Sequence, residues 1–266
     1  MKKYIVGLVC ITAMLFSYQS TAQDGIVYYD AGGYKVSSKD SATYYKTYKK
    51  LEGGLFRVER RRAEDDELLG EGICLSKDSA SLHGHYTDRY NGRVTSEGNY
   101  QYNKRVGTWT HYLDSGTVWY IDNYRNDTLV DTLISYYKNG SIKRKQYYEH
   151  GVVKGGYCWD EHGKERKFTQ FETLPYPEYN VMSYLSANVH YPGKARRQGK
   201  QGRVLVGFVV NENGSISDVA VVRGVCPEID DEALRVVKDM ANWKPGLQDD
   251  KPVKVRYTQP ITFKLE

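Results

Sequence analysis

Two patterns of apolar and polar positions divide the chain. In the second half, Val204, Val206, Phe208 and Val210 alternate on one face of Arg203–Val210, while Leu205, Gly207 and Val209 make the other face apolar as well. A strand apolar on both faces is buried on both, which predicts the centre of a sheet. Asn213-Gly214 then offers a hairpin turn, and Ile216 to Arg223 returns as a second strand through Val219 and Val221. Ile229, Ala233, Val236, Val237, Met240 and Ala241 recur with helical spacing and predict one apolar helix face. Asp230 is the expected N-cap, with Asp231 and Glu232 at the positive end of the helix dipole. In the closing strand Val253, Val255, Tyr257, Gln259, Ile261, Phe263 and Leu265 face one way. Lys254, Arg256, Thr258, Pro260, Thr262 and Lys264 face the other. Proline cannot donate to a ladder, so Pro260 predicts an edge strand or a bulge.

Upstream of this block, Val181 to His190 predicts a short helix with Met182 and Leu185 on one side. Tyr191-Pro192 ends it, because the residue before proline is pushed out of the helical region. Pro192 also suits the start of a new helical turn over Lys194 to Gln198, closed by Gly199. Ala195 then faces inward, and Lys194, Arg196, Arg197 and Lys200 face solvent. The basic run is thereby read as the charged face of a short helix.

The first half has a longer period. Gly92, Gly116, Gly140 and Gly163 follow similar residues at spacings of 24, 24 and 23. Asn91-Gly92 and Asn139-Gly140 are hairpin dipeptides in which both residues tolerate positive φ. A turn recurring at fixed period predicts stacked hairpins. Further corners containing glycine fall within Gly98–Tyr112 and Gln146–Trp159, where Gly107-Thr108-Trp109 and its neighbours set aromatics on alternating faces of short strands. The pattern resembles MORN-type repeats over roughly Leu69 to Lys164, which implies one β-hairpin per unit of an elongated antiparallel sheet. Tyr28 to Arg61 reads as a terminal cap, with a short helix beginning near Ser41–Tyr45 and a hairpin around Gly53-Gly54. Glu59 to Glu67 mixes charges and is expected to be a solvated strand end or loop.

The N-terminus changes the setting. Lys2 and Lys3, an apolar run from Ile5 to Phe16, and Ser20-Thr21-Ala22 have the layout of a secretory signal peptide, with cleavage between Ala22 and Gln23. The run is shorter than the ~20 residues of a spanning helix. The alternative is an uncleaved inner-membrane anchor, which would keep the protein on the membrane. Cleavage removes two lysines and takes the net charge from +5 to +3, short of the excess expected of a nucleic-acid binder. No nucleic-acid partner is expected. Cys74, Cys158 and Cys226 remain, and an odd number permits at most one internal disulfide. They read as single thiols, with Cys74–Cys158 the pairing to test.

Catalytic chemistry finds no support. His83, His85, His111, His150, Cys158 and His162 lie in different repeats without paired ligand spacing, so no metal site or cofactor is expected and the protein is read as a non-enzyme.

The stretch from Tyr191 to Gly224, followed by "DDEALRVV", "WKPG" and the closing "PITF", resembles the C-terminal domain of the TonB family over about Val181 to Glu266. The resemblance implies a three-stranded antiparallel sheet with two helices on one side. It also implies pairing with a short box peptide of outer-membrane receptors, and inner-membrane motor proteins as a further partner. The family's long proline-rich spacer is absent: the chain has seven prolines, scattered. The expected partner-strand residues are Lys254, Arg256, Thr258, Pro260 and Thr262, with His190, Tyr191 and Pro192 leading into the sheet.

The expected fold class is α+β. Its parts are a signal peptide (1–22), a cap region (23–68), MORN-like hairpins (69–170), a linker (171–180) and a TonB C-terminal-like domain (181–266). The expected function is a periplasmic TonB-type protein that binds extended transporter segments by strand addition, in support of energy-dependent transport. The alternative is a non-catalytic envelope scaffold that uses the repeat sheet to bind proteins or cell wall.

Overall fold

The computed structural model describes residues 4–5, 25–77 and 81–265. The expected cleavage site at Ala22 and Gln23, and nearly all of the leader, lie outside the described residues. The described residues form two compact units that part between Thr169 and Gln170, with Tyr4–Ile5 in the second.

The first unit is one fourteen-stranded antiparallel sheet that runs from Ile26–Tyr29 to Glu165–Arg166. From Tyr102 onward its corners alternate between two kinds. Tyr102-Asn103, Asn126-Asp127 and His150-Gly151 have positive φ at both residues (51° and 64°, 50° and 64°, 49° and 78°), which defines two-residue type I′ turns 24 residues apart. Between them, residues 113–117, 137–141 and 160–164 close wider loops, in which Gly116, Gly140 and Gly163 donate to Leu113, Tyr137 and Asp160 at 2.8, 3.0 and 3.0 Å. The 24-residue hairpin period is therefore a property of the fold. Asn91-Gly92 is a type I′ turn as expected, with φ of 50° and 73°. Asn139-Gly140 is not. Only Gly140 takes positive φ (83°), while Asn139 Oδ1 accepts from the Ser141 amide at 3.0 Å. The longer loop is built on a type I turn, which keeps Asn139 right-handed and leaves the left-handed position to glycine.

The cap region belongs to the same sheet. No helix forms at Ser41–Tyr45: a 3-10 turn at Lys39–Ser41 leads into the strand Tyr44–Lys50, which pairs with Ile26–Tyr29 and with Phe56–Arg62. Aromatic residues alternating with lysine favour a strand once neighbours exist on both sides. Short strands, Lys35–Val36 and Glu165–Arg166, end the sheet. The charged stretch is a strand end and turn, held by Arg62 to Asp65 at 2.8 Å and to Glu67 at 2.6 Å.

One face of this sheet is covered by its own large side chains. Tyr86, Trp109 and Tyr124 are buried, and Tyr100 meets Trp109 and Tyr86 edge-on at 5.1 and 5.5 Å. The Trp109 indole lies over Gly98, where any Cβ would collide with it. Polar groups share this face. Asp122, 2% exposed, accepts from Tyr124 Oη at 2.8 Å and lies 3.1 Å from His111 Nε2. Cys74 and Cys158 are buried free thiols. Six strands lie between theirs in the sheet. At about 4.8 Å per strand they stand roughly 30 Å apart, far beyond disulfide reach.

The second unit packs helices on a sheet: α1 (Val181–Asn188), α2 (Gly193–Arg197), β1 (Gly202–Val210), β2 (Ile216–Arg223), α3 (Pro227–Lys238) and β3 (Lys251–Phe263). β1 is central, flanked by β2 and β3. Val204, Val206, Phe208 and Val210 of β1 meet Ile229, Ala233, Val236 and Val237 of α3 in one apolar core. Several expectations need correction. Among the described residues the helix count is three, and short strands at Gly246–Gln248 and Glu172–Thr173 extend the sheet beyond three strands. With three helices among so many antiparallel strands, the chain is sheet-rich rather than evenly α+β. The segment expected as a linker is paired: Glu172–Thr173 joins Leu247–Gln248, Tyr176–Pro177 joins Trp243–Lys244, and Phe171 is buried. Asp230 is not the N-cap of α3. Cys226 holds that position, because Pro227 starts the helix earlier, and Asp230 instead accepts from the Val225 amide at 2.8 Å. Ala241 is exposed because α3 stops at Lys238, before its face is reached.

Candidate functional site

β3 is an extended strand with one flank largely open. Its residues 255–263 pair with β1 from Val255↔Val210 to Phe263↔Gly202 without a register shift. Lys251–Val253 pair with Gln248–Gly246 in a tight hairpin turned by Asp249-Asp250. On the flank away from β1, Tyr4–Ile5 pairs in parallel with Lys254–Val255. Among the described residues, 256–263 have no strand partner on that side.

Pro260 fixes how the flank is oriented. In an antiparallel ladder, pairs that exchange hydrogen bonds alternate with pairs that do not. Pro260 sits opposite Leu205 inside the unbroken β1–β3 ladder. Having no N–H, it fits at a pair that exchanges no bonds. Positions of the same parity, Arg256, Thr258 and Thr262, then turn their amides away from β1. The open flank thus offers donors at 256, 258 and 262, with a gap at 260.

Side chains alternate as the sequence implies. Val253, Val255, Gln259, Ile261 and Phe263 are buried, whereas Arg256, Thr258, Pro260 and Thr262 are exposed. Lys254 is half-buried, with Nζ 4.0 Å from Glu212. Arg256 forms no ion pair among the described residues. The opposite edge of the sheet differs. Asp218 in β2 has φ 52°, and the β1–β2 register shifts twice. Such bulges blunt an edge against further pairing.

His190, Tyr191 and Pro192 are not on the open flank. The His190 amide donates to Glu232 Oε1 at 2.7 Å, and Arg235 donates to the same oxygen at 2.7 Å and to Asn188 O at 2.7 Å. This clasp ties the end of α1 to α3. The Arg235 guanidinium, with the His190 amide, holds the Glu232 carboxyl below its ordinary value. Tyr191 meets Phe263 edge-on at 5.8 Å, and its hydroxyl donates to Lys200 O. Pro192 is the N-cap residue of α2. The three residues anchor α2 beside the end of β3.

The basic run is partly engaged. Lys194 pairs with Glu228, which lowers the carboxyl and raises the amine, and Arg196 lies 5.5 Å from the Tyr191 ring centroid. Among the described residues no three His, Cys, Asp or Glu converge as metal ligands.

Sequence reasoning placed the alternation of β3 but missed its register, and with it the span that stays unpaired. It also missed the Glu232 clasp, which joins residues 42 positions apart.

Residues 187–265 are similar to a known domain: they match the family model for the Gram-negative bacterial TonB protein C-terminal. Two curated relatives, each named Protein TonB, come from Helicobacter pylori strains 26695 and J99. Both are 30% identical over 87 residues, which is 32% of this chain and 29% and 30% of theirs. The chain thus matches under a third of the length of these relatives. A solution structure of the Helicobacter pylori TonB C-terminal domain is 29% identical, covering 32% of this chain and 78% of that one at a TM-score of 0.27.

Proposed function

We propose that this is a TonB-type protein of the cell envelope that binds extended segments of outer-membrane transporters by strand addition along β3, in support of energy-dependent transport. The observation that carries the reading is the flank at residues 256–263, in unbroken register with β1 and without a strand partner on its other side among the described residues, set against the bulged edge of β2. In strand addition the backbone supplies affinity and alternate side chains supply specificity. Each added main-chain hydrogen bond contributes about 0.5–1.5 kcal/mol net. The incoming segment must be ordered from a flexible state, which costs part of that gain and points to a dissociation constant of about a micromolar or weaker. Among the described residues no helix is long and apolar enough to cross a membrane. Coupling to inner-membrane motor proteins would need a retained anchor.

The test is a titration of a receptor box peptide into the isotope-labelled chain, following amide shifts. Shifts are expected along β3 from Arg256 to Phe263. Thr258→Pro removes a second outward donor and is expected to weaken binding about tenfold, the equivalent of roughly one lost charge-free hydrogen bond, without unfolding the domain. Shifts confined to α3, with β3 silent, overturn the proposal. A non-catalytic envelope scaffold built on the hairpin array is the second reading, favoured by the length of the fourteen-stranded sheet. It gains if no peptide binds while the protein still sediments with envelope material.

A further inference from the structure

The fourteen-stranded sheet exposes few large apolar side chains. Ile26, Tyr90, Ile142 and Val152 lie at strand ends, and Tyr34 and Tyr102 lie at corners. Tyr147 and Tyr157 differ. They sit within Ile142–Glu149 and Val152–Trp159, the two strands of one hairpin, and are 37% and 50% exposed.

The register brings them together. Lys145 pairs with Tyr157 and Tyr147 pairs with Gly155, so the side chains of Lys145, Tyr147 and Tyr157 share a face. The Tyr147 and Tyr157 rings stand at 87° with centroids 6.4 Å apart. Tyr157 and Trp159 lie closer to parallel, at 29° and 6.0 Å. Gly155 (φ 144°) has no Cβ, and nothing lies within 4 Å of where one would be. The result is a shelf: Trp159 stacks on Tyr157, Tyr147 stands at right angles to it, and Gly155 leaves open space beside them. Lys145 Nζ stands 5.5 Å from the Tyr147 centroid and forms no ion pair among the described residues.

We propose that this shelf binds an acidic glycan. A pyranose presents an apolar C–H face and a polar rim. The C–H face stacks on the electron-rich face of an aromatic ring, and the rim reaches phenolic and indole groups. The right-angled corner between Tyr157 and Tyr147 suits a flat ring bearing substituents. A protein anchor needs an enclosed, desolvated socket, which the open space at Gly155 does not supply. Lys145 adds a cation beside the rings and selects a sugar that carries a carboxylate. The site is separate from β3 and does not depend on the strand-addition reading.

The probe is a soluble oligomer of alternating N-acetylglucosamine and N-acetylmuramic acid, titrated calorimetrically into the full chain, with a neutral N-acetylglucosamine oligomer as a second arm. The acidic oligomer is expected to bind the wild type. Tyr157→Ala should weaken it at least tenfold, Tyr157→Phe should retain most affinity, and Lys145→Gln should weaken the acidic oligomer several-fold while leaving the neutral one unchanged. Circular dichroism melting monitors the fold of each variant. Absence of binding by both oligomers, equal binding by Tyr157→Ala, or displacement by an acidic peptide at equal affinity would overturn the proposal. Box-peptide binding by Tyr157→Ala should match the wild type.

Discussion

The two units bury their side chains in different ways. In the C-terminal unit fourteen buried residues form one cluster, contributed by α1, α2, β1, α3 and β3 and by Met240 and Trp243. The repeat sheet has three buried aromatics in its cluster, with a polar network on the same face. Each of its strands pairs with its neighbours along the array. Stability in such an array is close to a sum of local terms, whereas a shared core fails as a unit. The C-terminal unit should therefore melt cooperatively, and the array should loosen near an injury.

The sharpest way to break this comparison is Phe208→Ala. Phe208 is fully buried and touches Trp243 and Tyr257 at ring distances of 5.4 and 5.5 Å. Losing it should cost about 3–5 kcal/mol. Hydrogen exchange should then lose protection throughout β1, β3 and α3 while residues 82–159 keep theirs. Loss of protection across both units would refute the independence of the two.

A smaller effect sharpens the other half. Gly140 holds φ 83° with open space around it, so Gly140→Val carries backbone strain without a clash. The expected cost is roughly 1–2 kcal/mol. Exchange should rise in Asp131–Tyr136 and Ile142–Glu149, the strands that loop joins, and fade with distance. An unchanged melting profile would count against the turn geometry.

The smallest effect concerns the clasp on α3. The folded-state carboxyl of Glu232 lies below its unfolded value of about 4.3. The ionised form is the one favoured by folding, so its contribution is fully present above that value and is lost as pH falls through the folded value. Wild type should melt above Glu232→Gln at pH 6, and the gap should close on acidification. A gap that persists at pH 2 would place the effect in packing rather than charge.

Much of this was legible along the chain. Alternation in Arg203–Val210 and in the last strand follows from the two-residue period of a strand, so faces were readable wherever one side is buried. Glycine spacing revealed the repeat because the type I′ turn at Gly92 and the wide loops at Gly116, Gly140 and Gly163 each need a left-handed residue at that place. Tyr102-Asn103 and Asn126-Asp127 escaped notice because neither pair contains glycine, and tertiary pairing of the strands forces them into type I′ turns. The helix near Ser41 was lost for a similar reason: strand neighbours on both sides outweighed local preference.

The sequence by itself determined which side chains face the core in β1, β3 and α3, because that choice follows from periodicity and the cost of exposing apolar surface. It also determined the 24-residue hairpin period. Tertiary structure alone decided the register of β3 against β1, which among the described residues leaves 256–263 without a strand partner on one flank. It also decided the bulge at Asp218 that closes the other edge, and the meeting of Tyr147, Tyr157 and Trp159 on one shelf. Each depends on which residues stand opposite one another across strands, and pairing between strands is set by packing of the whole sheet rather than by any local run of residues.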